Sequence, residues 1–83
     1  MASTEEIRSK IHQVVLNIAE DMDIEEEKVK DDANLVGDLG LDSMAMLEIL
    51  AGIEKEFGVK IPETEFPELV SINACVEKVE KYL

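Results

Sequence analysis

The stretch Gly37-Asp38-Leu39-Gly40-Leu41-Asp42-Ser43-Met44 runs from an acidic loop straight into a periodic apolar segment. Asp and Ser open helices because their side-chain oxygens accept from first-turn N–H groups that have no intrahelical partner. A helix is therefore expected to open at Asp42-Ser43 and to stop near Phe57, with Gly58 as its terminator. Ser43 falls in the first turn, where the helix dipole is positive and a phosphate esterified to its hydroxyl would be stabilised. Gly37 and Gly40 are expected to let the loop turn tightly and to keep bulk away from that hydroxyl. Capping alone is the commoner reason to find Asp or Ser at such a place, and on spacing alone capping is favoured.

The helix that follows carries two apolar lines. Met46, Ile49, Leu50, Ile53 and Phe57 recur at helical spacing as a core stripe. Met44, Leu47 and Ala51 form a second line on another face, and between Met44 and Ala51 the only charged residue is Glu48. A small domain has little with which to bury both faces, so the second line is expected to bind partners. The alternative is that Leu47 meets the long loop and Met44 fills a gap in the core.

Outward from this helix the rest of the chain also reads as helical. Ile7, Ile11, Val14, Val15, Ile18 and Met22 mark one face of a first helix, opened by Ser3 with Glu6 as a capping box. The acidic stretch from Asp21 to Asp32 is expected to hold one short turn, capped by Asp23, with Ile24 and Val29 turned inward. Asp31 to Asp42 reads as a long loop anchored by Leu35, Val36, Leu39 and Leu41, and loops of that length are more often functional than idle. Beyond Gly58, Pro62 favours an extended connector, and Pro67 suits the first turn of a short third helix or breaks it. A last helix is expected from Ser71 to Tyr82, with Ile72, Val76, Val79 and Leu83 as its stripe. The expected fold is all-α, a four-helix bundle with a long loop between helices one and two, built as a single domain over residues 1–83.

Charge narrows the function. Twenty acidic against eight basic residues leave a net charge of −12, while 46% hydrophobic content is too high for a disordered chain. Such a chain lacks the cationic surplus that displaces counterions from nucleic acid or holds to an anionic membrane, so neither is an expected partner. The charge favours partners with basic surfaces, reached by long-range steering. One cysteine, Cys75, excludes an internal disulfide and fits a reducing compartment. Met1 to Glu6 shows neither a basic region nor an apolar run of a secretory leader, and no segment approaches a membrane span. A cytoplasmic monomer is the expectation.

At this point the residues resemble a family. Asp38-Leu39-Gly40-Leu41-Asp42-Ser43-Met44, then Glu48, then Glu54-Lys55-Glu56-Phe57-Gly58-Val59-Lys60-Ile61-Pro62, is similar to an acyl carrier protein, and the likeness extends from about Thr4 to Tyr82. The resemblance implies a carrier, not an enzyme, whose Ser43 is modified with 4′-phosphopantetheine from coenzyme A by a phosphopantetheinyl transferase. Asp42 and Gly40 accompany the serine in that motif. The cofactor's thiol would carry acyl groups between acyl-loading and acyl-processing enzymes of fatty-acid, polyketide or lipid synthesis. Ile11, Val15, Met46, Leu50, Ile53, Ile61, Phe66 and Ile72 are candidate lining for a sheltered acyl chain, though ordinary core packing explains each of them as well.

The resemblance also implies recognition through the second helix, with Asp42, Glu48 and Glu54 as acidic contacts and Met44 and Leu47 as apolar ones; Ala51 joins these on the apolar line read from spacing, and Lys55 lies on the same helix. Met44 stands where Leu is usual, and Ala45 and Lys55 stand where acids are common. Lost acid at Ala45 and reversed charge at Lys55 would weaken some enzyme contacts and spare others, which points to a specialised carrier.

Other readings carry less. A hydrolase would need the glycines of a nucleophile elbow around Ser43, and His12, the sole imidazole, is expected on the exposed side of helix one. Asp21, Asp23 and Glu25-Glu26-Glu27 lack the central Gly of a calcium-binding loop, so no specific metal site is expected. Gly40-Leu41-Asp42-Ser43 differs from the Gly-Gly-x-Ser usual in peptidyl carriers. A cofactor-free acidic docking module of the same fold remains as the alternative. Cys75 reads as a small buried hydrophobe, and Tyr82 as a ring packed at the end of the bundle with its hydroxyl in water.

Overall fold

The computed structural model describes residues 3–83; the reading of Met1 and Ala2 as free of a leader falls outside the described residues. The elements are α1 (Thr4–Asp21), a 3₁₀ turn η1 (Glu26–Lys28), α2 (Ser43–Phe57), a 3₁₀ segment η2 (Glu63–Glu68) and α3 (Ile72–Tyr82). Among the described residues there is no strand, and α1, α2, η2 and α3 make up the four-helix bundle. No described helix is long and apolar enough to cross a membrane.

Each α-helix starts at a side-chain cap: Ser3 accepts from Glu6 N–H, Asp42 from Ala45 N–H and Ser71 from Ala74 N–H. The Ser3–Glu6 pair is a variant of the expected box, since Ser3 Oγ also donates to Glu6 Oε1 at 3.3 Å. Gly58 ends α2 in the left-handed region, at φ 65°.

Helix α1 lies against both α2 and α3 and is the spine of the core. Ile7, Ile11 and Val15 are buried as expected, while Val14 and Ile18 are only partly covered. Leu16 and Ala19, which lie off the expected stripe, are buried too, because α1 has neighbours on two sides. At the helix end, Met22 is 38% exposed and does not join the stripe. At Gly52 helix α2 lies close against α1, where an added Cβ would stand 2.8 Å from Val14 Cγ1. In α3, Ile72, Cys75, Val76 and Val79 are buried, and burial pushes the Cys75 thiol up to about 12. Leu83 lies beyond the last turn and is 62% exposed, so the α3 stripe stops at Val79. Tyr82 is partly buried against the core with Lys81 Nζ 5.2 Å from its ring centroid.

Three further expectations are corrected between the helices. The residue before η1 is Glu25, and Asp23 instead turns the chain out of α1 at a positive φ of 60°. His12 is half-buried rather than exposed: its Nε2 donates to the Val29 carbonyl at 3.1 Å and ties α1 to the loop. Pro67 sits in the second half of η2, not its first turn; a ring without an N–H is tolerated there because a short 3₁₀ turn has few internal bonds to lose.

Candidate functional site

The loop from Asp31 to Asp42 is tightly built, and it decides where Ser43 emerges. Asn34 Oδ1 accepts from Val36 N–H (3.1 Å) and Gly37 N–H (2.6 Å), while Asp38 Oδ2 accepts from Asn34 N–H at 2.8 Å. Leu35 N–H donates to Val70 O at 2.9 Å and Asn73 N–H to Asp31 O at 3.0 Å, which fasten the loop to the start of α3. Leu35, Leu39 and Leu41 are buried anchors, whereas Val36, expected among them, is 57% exposed.

Gly40 turns the chain toward α2 at φ +75°, a conformation that costs a side-chain-bearing residue about 1–2 kcal/mol. A Cβ on Gly40 would meet nothing within 4 Å, so this glycine serves backbone geometry and does not clear space around the serine. Gly37 has an ordinary φ, but a Cβ added there would stand 3.2 Å from Asn34 Oδ1, so it leaves room for the Asn34 side chain and not for the serine.

Ser43 is the first residue of α2 and is exposed. Asp42 Oδ1 takes the Ala45 N–H at 2.8 Å, and its carbonyl takes the Met46 N–H at 3.0 Å. The capping role is therefore present, filled by Asp42, which leaves the Ser43 hydroxyl uncommitted to the cap.

Past the serine the two faces of α2 separate as their spacing requires. Ala45, Ile49, Leu50 and Ile53 are buried, and Met46 and Phe57 are partly buried. Met44 at 67% and Leu47 at 52% are among the most exposed large apolar side chains of the molecule. Glu48, Ala51 and Lys55 are exposed on the same face, at i+4, i+7 and i+11 from Met44.

One residue of the recognition set, Glu54, stands elsewhere, and so does Ala45, noted as a position where an acid is common. Glu54 is half-buried, and its Oε2 accepts from Ile61 N–H at 2.9 Å, so its carboxylate caps the connector after Gly58. Ala45 is 4% exposed, so its methyl belongs to the core and not to the surface.

Beside Ser43 lies an apolar cleft of about 540 Å³ between α2, the loop and η2. Ser43, Leu47 and Leu50 line it from α2, Leu41 from the loop, and Phe66 and Pro67 from η2, with Leu69 just beyond. Of the residues expected as lining, Met46, Leu50 and Phe66 reach this cleft. Ile11, Val15, Ile53, Ile61 and Ile72 are instead fully packed core. Periodicity identifies buried positions but cannot tell which of them border a gap; the contribution of Pro67 and Leu69 follows only from where η2 docks.

A family model described as the phosphopantetheine attachment site matches residues 12–79. The chain is 35% identical over 83 residues to an acyl carrier protein of Thermotoga maritima, spanning 100% of this chain and 99% of that one. It is 36% identical over 64 residues to an acyl carrier protein of Campylobacter curvus, covering 77% and 83% of the two chains. The fold is similar to the solved structure of the acyl carrier protein from Enterococcus faecalis, with a TM-score of 0.73, 27% identity and coverage of 99% and 100%. A helix-opening serine at the lip of an apolar cleft thus sits inside a match that spans nearly the whole chain, and the protein belongs to the acyl carrier proteins, which carry acyl groups on a covalently attached 4′-phosphopantetheine.

Proposed function

We propose that Ser43 is the attachment residue and that the chain works as one discrete, monomeric carrier unit that presents its cargo and catalyses nothing itself. The observation that carries this reading is the exposed hydroxyl of Ser43, at the first residue of α2 and on the lip of the cleft. The residues present fit the group. The N-terminus of α2 favours a phosphodiester, Asp42 keeps the cap so that the serine oxygen is free to be esterified, and the cleft offers apolar surface within reach. When bound, the arm supplies a thiol that holds acyl groups as thioesters.

Recognition falls to the exposed face of α2: Met44, Leu47 and Ala51 as the apolar centre, Glu48 and Asp42 as acids, and Lys55 as a cation that a uniformly basic enzyme patch would repel. Glu54 acts from behind by holding the Ile61 amide, and a carrier specialised for a subset of enzymes follows from Lys55. Partners are a phosphopantetheinyl transferase and acyl-transferring enzymes with basic surface patches, met in the cytoplasm.

Incubating the protein with coenzyme A and a broad-specificity phosphopantetheinyl transferase tests this directly. The expected result is a mass increase of one phosphopantetheine, abolished by Ser43→Ala. An unchanged mass with several such transferases would leave the fold as a cofactor-free docking module.

A further inference from the structure

The segment η2 is the most thinly attached helical element, with less backbone contact to any one helix than even η1 has with α1. Helix α1 packs broadly on α2 and α3, whereas η2 shares little backbone contact with any helix. It is a short 3₁₀ run interrupted by Pro67, a geometry with weak internal hydrogen bonding. Yet η2 supplies the wall of the cleft that faces Ser43, through Phe66 and Pro67.

Side-chain ion pairs help hold this wall to the bundle. Among the described residues Glu65 is the sole buried charged residue, with its side chain 12% exposed. Its Oε1 receives Lys78 Nζ at 2.6 Å and Lys81 Nζ at 3.1 Å, both from α3. Lys78, itself 15% exposed, also reaches Glu68 Oε1 at 3.0 Å. Two cations of one helix thus grip two carboxylates three residues apart in the same short segment. Of these pairs the sheltered one is Glu65–Lys78, at 12% and 15% exposure, so loss of the Glu65 charge leaves a half-buried ammonium with only the exposed Glu68 as partner.

We propose that Glu65, Lys78 and Lys81 form an ionic latch that positions η2 as a movable wall of the cleft, and that its closure governs how well an acyl chain borne near Ser43 is shielded from water. The proposal rests on the carrier reading for its cargo and on the ion pairs for its mechanism. These are positioning residues: none lines the cleft, and they act through Phe66 and Pro67.

The test begins with the unmodified protein, so that the latch is read independently of Ser43 loading. Hydrogen exchange is followed at the amides of Glu65, bonded to Pro62 O at 2.9 Å, and Leu69, bonded to Phe66 O at 3.1 Å. In Glu65→Gln both are expected to exchange at least about threefold faster, while amides inside α1 and α3 stay within about twofold of wild type. Lys78→Arg keeps the charge and is expected to restore protection that Lys78→Met loses. Unchanged exchange in Glu65→Gln, or an equal rise in every helix, overturns the latch. In the octanoylated protein, cleavage of the thioester by hydroxylamine is expected to run several-fold faster in Glu65→Gln; equal rates would overturn the shielding role even if η2 loosens. Failure of loading, seen by mass, would bring down the carrier reading and the shielding role with it, while the exchange data still decide the latch.

Discussion

Asp42 shows how one side chain can hold two roles that a substitution can separate. Its carboxylate caps α2 through the Ala45 N–H, and it also stands beside the proposed attachment serine. Asn keeps the capping oxygen and removes the charge, whereas Ala removes both. Asp42→Ala is expected to lower stability by about 1 kcal/mol and Asp42→Asn by much less. Both variants are expected to slow loading by the transferase if the charge is a recognition contact. Chemical denaturation of the two beside initial rates of phosphopantetheine transfer checks this; equal loading by Asp42→Asn and wild type would restrict the residue to its cap. Glu54 shows the converse case. Its place in the helix reads as a surface acid, but the chain after Gly58 folds back and takes the carboxylate for Ile61. A bond across seven residues and a reversal of direction cannot be anticipated from spacing along one helix.

At the scale of elements, α1 and α2 meet at Gly52. Replacing an interior helical glycine by alanine ordinarily gains about 1 kcal/mol of helix propensity. Here the new methyl would lie 2.8 Å from Val14 Cγ1, and the stiff β-branched side chain has little room to yield. Overpacking costs about 1–3 kcal/mol, so Gly52→Ala is expected to be a net loss. The double variant with Val14→Ala should recover part of it, measured as non-additive stabilities in a double-mutant cycle.

The η2 latch responds to acid in a defined direction. Hydrogen bonds from Lys78 and then Lys81 hold the Glu65 carboxyl below its ordinary value of 4.5. The folded-state value is the lower one, so the stabilisation is fully present above 4.5 and disappears as the pH falls below it, through the lowered value. Glu68, Lys78 and Lys81 are the charged groups that share this contact. Exchange at the Glu65 and Leu69 amides, corrected for its intrinsic pH dependence, should therefore gain on that of α1 only below pH 4.5. A ratio that stays flat on acidification would argue against the ion pairs as the restraint.

For the whole molecule, the net charge of −12 is a standing cost to compactness as well as a means of steering. Carboxylates outnumber their partners, and the pairs at Arg8–Glu5, Arg8–Asp31 and Lys10–Glu56 offset only a few of them. Raising monovalent salt from about 0.01 M to about 0.15 M shortens the Debye length from about 30 Å to about 8 Å, which weakens repulsion more than it weakens contact pairs. The melting temperature is expected to rise over that range; a fall would mean that favourable pairs outweigh the repulsion. Association with basic enzyme surfaces should slow over the same range.

What the amino-acid order determines is the set of helices and their caps. Ser3, Asp42, Ser71 and Gly58 act within a few residues of themselves, so their signals are legible locally and the helices end where those signals lie. The exposed face of Met44, Leu47 and Ala51 is legible for a similar reason: helical periodicity puts it opposite a complete core stripe. Position in space is a different matter. Whether Leu16 is buried, whether His12 meets Val29, which apolar residues border the cleft and which lysines grip Glu65 all depend on how separate helices dock. Those contacts join residues far apart in the chain through packing and long side chains, interactions that leave no periodic trace, and only the tertiary structure decides them.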